Sequence, residues 1–317
     1  MATPPKFVFI MDMTRTRSNL FFRYIQTNPI IESMWHPYMG AAIVGPEGFY
    51  KKYDDERGDG IKSLGNTNPK GIPLSYEGCT EALLKARDEA NENVIDNSKP
   101  YSKETDQADL MDLLFAMLED EAVEPDTENP TCLPNSVWDE ITPIFVTRNP
   151  IFSVPSNMSV FKKTHAVIQP KAINKLWGKI TDMRFQRQLF ERMKTKLGRT
   201  PIVIDGDDTV WRTQQLGDAL SRALNIDPGH FSVVWDPVPE DKRSKSPLLN
   251  YFLKTINDSK GVEPPSPAPP TPDIDEAYKE WVDEFGEEWA DDLKSTVERN
   301  LPHYEYLRQF NIVPSDA

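Results

Sequence analysis

Short runs of apolar residues are the clearest hydrophobic pattern along this chain. The first run, residues 7–11, shows no polar–apolar alternation and therefore predicts a strand that is buried on both faces. Residues 143–146 and 201–204 are short, apolar and bounded by turn or charged residues, as is typical of strands. Residues 231–235 form a weaker candidate strand, and residues 30–35 form another.

Helical periodicity fills the intervals between these predicted strands. Apolar side chains recur at helical spacing through residues 183–197 and again through residues 216–224. Strands that alternate with helices predict an α/β fold, with an open, mainly parallel sheet flanked by helices. Ligands of such sheets bind at the carboxyl ends of the strands.

Changes in composition divide the chain into a main domain and a tail. Residues 1–262 are predicted to form the α/β domain, with insertions near residues 51–75 and 100–130. Proline dominates residues 263–272, which predicts an extended spacer. Residues 273–317 carry an apolar stripe within an acidic sequence, so they are predicted to form a helical segment that docks on the same domain.

The overall charge excludes some classes of partner. A formal net charge of −14 argues against nonspecific binding to nucleic acid or to an anionic membrane. No apolar run approaches the ~18 residues of a membrane span, and no leader pattern precedes the first strand, so a cytoplasmic protein is expected. The two cysteines, Cys79 and Cys132, are far apart and are expected to be free thiols.

Basic residues are concentrated in one segment of this acidic chain. Residues 162–199 contain eleven Lys and Arg residues against one Asp and one Glu. Such a segment either faces an anionic ligand or forms a solvated helix surface, and the sequence leaves both interpretations open.

Polar loops follow two of the predicted strands. The first loop, residues 11–19, reads Met-Asp-Met-Thr-Arg-Thr-Arg-Ser-Asn and leads into a helical stretch. The second loop, residues 147–156, begins Thr-Arg-Asn-Pro and ends at Ser156. A loop that runs from a buried strand into a helix binds anions, because free backbone N–H groups point at it. Arg148 and Ser156 can converge on one phosphate, which predicts a phosphate or sulfate site.

The first loop is not a Walker A motif, because it lacks the GxxxxGK[ST] pattern. Together with the second loop it resembles the cofactor-binding motifs of the sulfotransferase family. Members of that family have a P-loop-like α/β fold and bind 3′-phosphoadenosine 5′-phosphosulfate (PAPS). Their first motif, Pro-(Lys/Arg)-Ser-Gly-(Thr/Ser)-Thr, holds the 5′-phosphosulfate. The residues at the corresponding positions of this chain are, in order, Thr14, Arg15, Thr16, Arg17, Ser18 and Asn19.

The second family motif, Arg-(Asn/Asp)-Pro with a downstream Ser, holds the 3′-phosphate. Arg148, Asn149 and Pro150 match it, and Ser156 has the right spacing. A weaker likeness lies in the strand, acidic turn and helix that begin at residue 202, so that the resemblance covers residues 6–227. It implies that PAPS is bound by the following residues: Arg15, Thr16, Arg17, Ser18, Asn19, Arg148 and Ser156.

The chain departs from the family pattern at two positions of the first loop. Arg17 replaces a glycine that allows close backbone approach to the anion, so a positive φ is expected there. Its side chain either narrows the site or adds a hydrogen-bond donor. Thr14 replaces the family's proline, and no Gly-Asp-Trp-Lys-like segment closes over the nucleotide near the C-terminus.

Sulfuryl transfer needs a base for the acceptor, cations for the developing charge and an in-line geometry. Arg15 is the candidate cation, acting by charge because arginine does not give up its proton.

Trp35-His36-Pro37 resembles the Phe-Glu-Pro of carbohydrate-type members, so His36 is the candidate base, with an ordinary pKa of about 6.5. Of the remaining histidines, His165 either lies near the cofactor or is exposed, and His230 is interpreted as a turn residue. His303 either caps the pocket or has a packing role, and packing is the favoured interpretation.

Two further features have a structural as well as a functional interpretation. Phe21, Phe22 and Trp211 are candidates for contact with adenine, although aromatic residues at such places are more often core. The acidic turn, residues 205–208, resembles a magnesium site but is more typical of a helix cap. No metal is expected, because sulfuryl transfer needs none.

These observations favour a PAPS-dependent sulfotransferase that moves a sulfuryl group to a hydroxyl or amine of a small molecule of secondary metabolism. One alternative is an enzyme of this fold that acts as a lyase, cyclase or isomerase on an anionic substrate, for example one that bears a diphosphate. Another is a non-enzymatic nucleotide-binding or scaffold protein. The expected partner is a small-molecule acceptor, with no nucleic acid and no membrane.

Overall fold

The computed structural model describes most of the predicted α/β domain and the C-terminal segment. The described residues are 7–31, 34–35, 38, 41, 75–93, 106–107, 129, 131, 133–164, 180–244, 247–264 and 270–314. The strands are β1 (Val8–Asp12), β2 (Met34–Trp35), β3 (Asp106–Gln107), β4 (Thr142–Thr147) and β5 (Ile202–Asp205). The helices are α1 (Ser18–Ile25), α2 (Tyr76–Asn93), α3 (Asn135–Glu140), α4 (Pro150–Thr164), α5 (Met183–Leu197), α6 (Asp208–Trp211), α7 (Thr213–Leu224), α8 (Pro247–Asp258), α9 (Ile274–Phe285) and α10 (Glu287–Arg308).

Three strands form a parallel sheet in the order β1-β4-β5, so β4 lies in the centre. In the register of the sheet Ile10 is beside Ile144, and Ile144 is beside Ile202. These strands are buried except at the first residues of β1 and β4, as continuous apolar runs require. The predicted α/β class with an open parallel sheet flanked by helices is therefore confirmed. Strands β2 and β3 form a separate parallel pair.

Both faces of the sheet are covered, because successive side chains of a strand point to opposite sides. On one face Phe9, Phe145 and Val203 pack with residues of α3, α5 and α10. On the other face Ile144 and Ile204 pack with residues of α1 and α7. Because the three strands are parallel, the carboxyl ends of β1, β4 and β5 lie at one edge of the sheet.

The C-terminal segment packs on the rest of the chain through its apolar stripe. Trp281 and Phe285 of α9 and Leu293 of α10 join a core cluster with residues of α4. After α10 the chain runs along the free edge of β5, where the Ile312 N–H donates to the Val203 carbonyl oxygen at 2.9 Å. The stripe predicted a single helix, whereas the structure divides it into α9 and α10 at Gly286. That glycine has φ 91°, a conformation that residues with a side chain rarely adopt.

Some predictions differ from the structure or fall outside it. Residues 231–235 form no strand: Val234 makes one antiparallel bridge, to Gly261, and is 66% exposed. Of residues 30–35, the last two belong to a strand, residues 30 and 31 do not, and residues 32 and 33 lie outside the described residues. Most of the two predicted insertions lies outside the described residues, and so does part of the proline-rich spacer, residues 265–269. None of the described helices is both long enough and apolar enough to cross a membrane.

Candidate functional site

The first loop connects the end of β1 to the start of α1 and contains two left-handed residues. Arg15 has φ 63° and Arg17 has φ 65°. The positive φ expected at Arg17 is therefore confirmed, although no glycine is present. The Thr16 hydroxyl donates to the Met13 carbonyl oxygen at 2.8 Å, which closes the turn from inside. Because a left-handed residue with a side chain costs about 1–2 kcal/mol, the surrounding structure has to hold this loop in place.

Gly206, in the acidic turn, allows β5 to approach the first loop closely. A Cβ atom at this position would lie 1.8 Å from the Thr16 carbonyl oxygen, so only glycine fits. The Gly206 N–H also donates to the Thr147 carbonyl oxygen at 2.7 Å. Gly206 thereby joins the exits of three neighbouring strands at one point.

Three arginines from the first and second loops meet next to this junction. Arg148 donates from Nε to Asp207 Oδ1 at 2.8 Å and from Nη1 to the Arg15 carbonyl oxygen at 3.2 Å. Arg17 Nη1 lies 3.2 Å from the same Asp207 oxygen, close enough for an ion pair but not aligned as a hydrogen bond. Arg15 Nε donates to Ser156 Oγ at 3.0 Å. The structure thus brings together the two predicted motifs.

The guanidinium groups of the arginine cluster, Arg15, Arg17 and Arg148, are partly buried and repel one another. Burial lowers the pKa of the Arg15 guanidinium, and the charge of Arg148 lowers it further. The same two causes, in the same order, lower the pKa of Arg17, whereas the charge of Asp207 raises it. Arginine remains protonated nevertheless, so an anion bound here would relieve the repulsion.

The other residues predicted to bind PAPS lie around the arginine cluster in different settings. Thr16 is buried and its hydroxyl is committed to Met13, so its side chain is turned inward. Ser18 is the first residue of α1 and is buried, while Asn19 is half-buried one position later. Ser156 lies on α4 and contacts Arg15, not Arg148.

The two described histidines, His230 and His303, lie on elements other than the two loops of the arginine cluster. His36 and His165 lie outside the described residues, so the role of His36 as a base stays a prediction. His230 is exposed in a 3₁₀ turn. His303 lies on α10, where burial and then the charge of Arg187 lower its pKa.

The predicted adenine contacts are mostly core residues. Phe21 and Phe22 are buried between α1 and the sheet, and Trp211 is half-buried on α6. A different aromatic residue, Tyr251 on α8, is 43% exposed, and α8 packs against α1. Tyr251 lies within electrostatic range of Arg15, where it opposes the lowering of the Arg15 pKa by burial and by Arg148. No motif marked this tyrosine, because its nearness to Arg15 comes from the packing of two helices far apart in sequence.

The carboxylates of the acidic turn accept hydrogen bonds from residues of other elements. Asp205 is buried and accepts from the Tyr304 hydroxyl at 2.7 Å and from the Asp207 N–H at 3.0 Å. Burial raises the pKa of Asp205 to about 6. Asp208 accepts from Arg212 and Asn311, each at 2.7 Å. In the described part of the chain no three His, Cys, Asp or Glu side chains are grouped as metal ligands.

Gln186 is a further site-forming residue that the sequence pattern did not indicate. It lies on α5 and is fully buried. Its amide donates to the Val146 carbonyl oxygen at 2.9 Å and to the Met11 carbonyl oxygen at 3.2 Å. The amide therefore ties together β1 and β4 close to where both loops begin.

Comparisons of the chain with models of known protein families, with curated proteins and with solved structures return no match. The likeness of the two loops to sulfotransferase motifs thus stands as a resemblance. Function has to be inferred from the arginine cluster and its surroundings.

Proposed function

We propose that this chain binds PAPS and transfers its sulfuryl group to a hydroxyl or amine of a small molecule. The observation that carries the proposal is the arginine cluster at the carboxyl ends of β1 and β4. Guanidinium groups form paired hydrogen bonds with phosphate and sulfate oxygens, and ligands of parallel sheets bind at this edge. The α/β fold with its parallel sheet is compatible with the P-loop-like fold that the resemblance implies.

The two loops divide the anionic groups of the ligand between them in this proposal. PAPS would supply the sulfuryl group, which is transferred without a metal. Arg15 would stabilise charge on the transferring group and on the leaving oxygen, acting as a fixed cation. Arg148 and Ser156 would hold the 3′-phosphate. The contact of Arg15 with Ser156 at 3.0 Å is compatible with one ligand that reaches both loops, because it holds the two loops close together.

The acceptor needs a base that removes its proton during the transfer. His36 is assigned this role, since it follows β2 directly and an imidazole titrates near neutral pH. Its replacement by alanine is expected to leave nucleotide binding intact and to abolish turnover. Those two readouts separate a base from a residue that holds the nucleotide.

A second function is favoured by Arg17. The sulfotransferase motif has glycine at this position, whereas Arg17 directs an additional guanidinium toward Asp207 and Arg148. A further cation suits a substrate that carries a diphosphate. The fold would then serve a lyase, cyclase or isomerase, and Arg17 would hold the diphosphate.

Ligand-dependent stability distinguishes the two functions. The unfolding midpoint is measured with 3′-phosphoadenosine 5′-phosphate, ATP and inorganic diphosphate, since a ligand at 100 times its Kd stabilises by about 2.7 kcal/mol. A shift specific to the 3′-phosphorylated nucleotide supports the sulfotransferase, and radiolabelled PAPS then tests transfer to a panel of phenols, alcohols and amines. A shift with diphosphate alone supports the second function.

Two arginine variants test whether the nucleotide-dependent shift of the unfolding midpoint arises at the arginine cluster. Arg148→Ala is expected to remove the nucleotide-dependent shift. Arg212→Ala serves as the control, because Arg212 is similarly buried and pairs with Asp208 outside the arginine cluster. Equal binding by the parent and the Arg148 variant would contradict the assignment, and no shift with any ligand would refute both functions.

A further inference from the structure

Asp207 is the carboxylate toward which two arginines of the cluster are directed. Its Oδ1 atom accepts from Arg148 at 2.8 Å and lies 3.2 Å from Arg17 Nη1. Although Asp207 stands at the N-cap of α6, its side chain accepts no capping hydrogen bond from that described helix. The carboxylate thus interacts with the arginines and not with the helix that it precedes.

We propose that Asp207 competes with the anionic ligand for Arg17 and Arg148. The proposal rests on the proposed function, in that both take the arginine cluster as the anion site. Asp207 is three-quarters buried, and its carboxylate occupies the same kind of guanidinium contact that a phosphate oxygen would make. Ligand binding would exchange one set of charged hydrogen bonds for another.

The competition with Asp207 determines which anionic groups gain affinity at the arginine cluster. A ligand group with a single negative charge replaces one carboxylate by another single charge, so it gains little. A group with two or more charges, such as a phosphomonoester or a diphosphate, gains the additional attraction to Arg15, Arg17 and Arg148. Asp207 therefore acts as a specificity-determining residue that favours highly charged groups over monoanions.

Neutralising this carboxylate without changing its shape tests the proposal. Asp207→Asn in the full chain is expected to bind inorganic diphosphate about tenfold more tightly than the parent, measured by titration calorimetry at fixed ionic strength. Asp208→Asn is the matched control, because it removes the same charge one residue away, from a carboxylate that pairs with Arg212 and Asn311. Its affinity for diphosphate is expected to stay within about twofold of the parent.

A monoanion provides a second readout. Methyl sulfate is expected to bind measurably to the Asp207→Asn protein and far more weakly to the parent. If the unfolding midpoint shows that the Asp207→Asn protein is not folded, Asp207→Ser takes its place, since serine is a favourable N-cap residue.

The possible outcomes separate this inference from the proposed function. Unchanged or weaker diphosphate binding by the Asp207 variants overturns the competition, and shows that the carboxylate holds the arginines in position for the ligand. Equal tightening by the Asp207 and Asp208 variants also overturns it, because the effect is then one of overall charge. Failure of the parent and all variants to bind any anion removes the site itself, and with it the proposed function.

Discussion

Replacing Asp205 by asparagine is expected to stabilise the protein above neutral pH. Asp205 ends β5 and is buried, with its two oxygens accepting from Tyr304 and from the Asp207 N–H. Burial raises the pKa of this carboxyl group from 3.8 to about 6, more than these hydrogen bonds lower it. An asparagine keeps both contacts, since its oxygen can accept from the backbone N–H and its NH₂ can donate to the Tyr304 hydroxyl.

The sign and size of the effect follow from proton linkage. A raised pKa means that the folded protein binds the Asp205 proton more tightly than the unfolded chain does. The free energy of unfolding therefore falls as pH rises from about 4 to about 6, and the loss is complete above that range. The difference between 3.8 and about 6 corresponds to about 3 kcal/mol. Asparagine cannot lose a proton, so the variant avoids this loss.

Urea unfolding at a series of pH values from about 4 to 8 measures the prediction. The unfolding free energy of Asp205→Asn minus that of the parent should be near zero at the acid end and about 3 kcal/mol at the alkaline end. Asp218→Asn, on the half-exposed face of α7, controls for the general effect of removing an acid. A difference that does not change with pH would refute the inference that burial raises the pKa of Asp205.

Two further substitutions test the site. Arg17→Gly should weaken diphosphate binding at least tenfold, yet change the unfolding free energy by less than about 1 kcal/mol, because relief of the left-handed strain offsets the lost ion pair. Calorimetry measures the binding and urea unfolding measures the stability. A loss of stability that accompanies the loss of binding would contradict the prediction. Tyr251→Ala should weaken the binding of 3′-phosphoadenosine 5′-phosphate several-fold but leave the binding of diphosphate unchanged, because we expect the exposed ring to contact the base. Trp289→Ala, which removes a similarly exposed aromatic side chain from α10, is the control. Equal losses of affinity for both ligands would exclude a contact with the base.

The sheet could be predicted from the sequence because its strands are continuous apolar runs. Residues 7–11, 143–146 and 201–204 were expected to be strands, and all three belong to the parallel sheet. The same kind of pattern was misleading at residues 231–235, where Val233 and Val234 are exposed. An apolar run indicates a strand only if helices cover it, and local sequence does not contain that information.

The arginines of the site could be predicted, but their partners could not. Each of Arg15, Arg17 and Arg148 follows a predicted strand, which placed all three at one edge of the sheet. The pairing with Asp207 depends on β5 lying beside β4, and on Gly206 allowing close approach. Contacts of this kind join positions far apart in the sequence, 59 residues for Arg148 and Asp207 and more for Arg17 and Asp207. They depend on topology, which hydrophobic periodicity does not determine.

The energetics of the first loop favour a role for Arg17 beyond the fold. Holding a side chain at φ 65° costs about 1–2 kcal/mol, and glycine at this position would avoid that strain. A partly exposed ion pair such as that of Arg17 with Asp207 contributes at most about 1 kcal/mol. The pair therefore offsets the strain at best, while a third guanidinium next to Arg148 adds repulsion. An anionic ligand reverses this balance, because it turns the repulsion among the arginines into shared attraction.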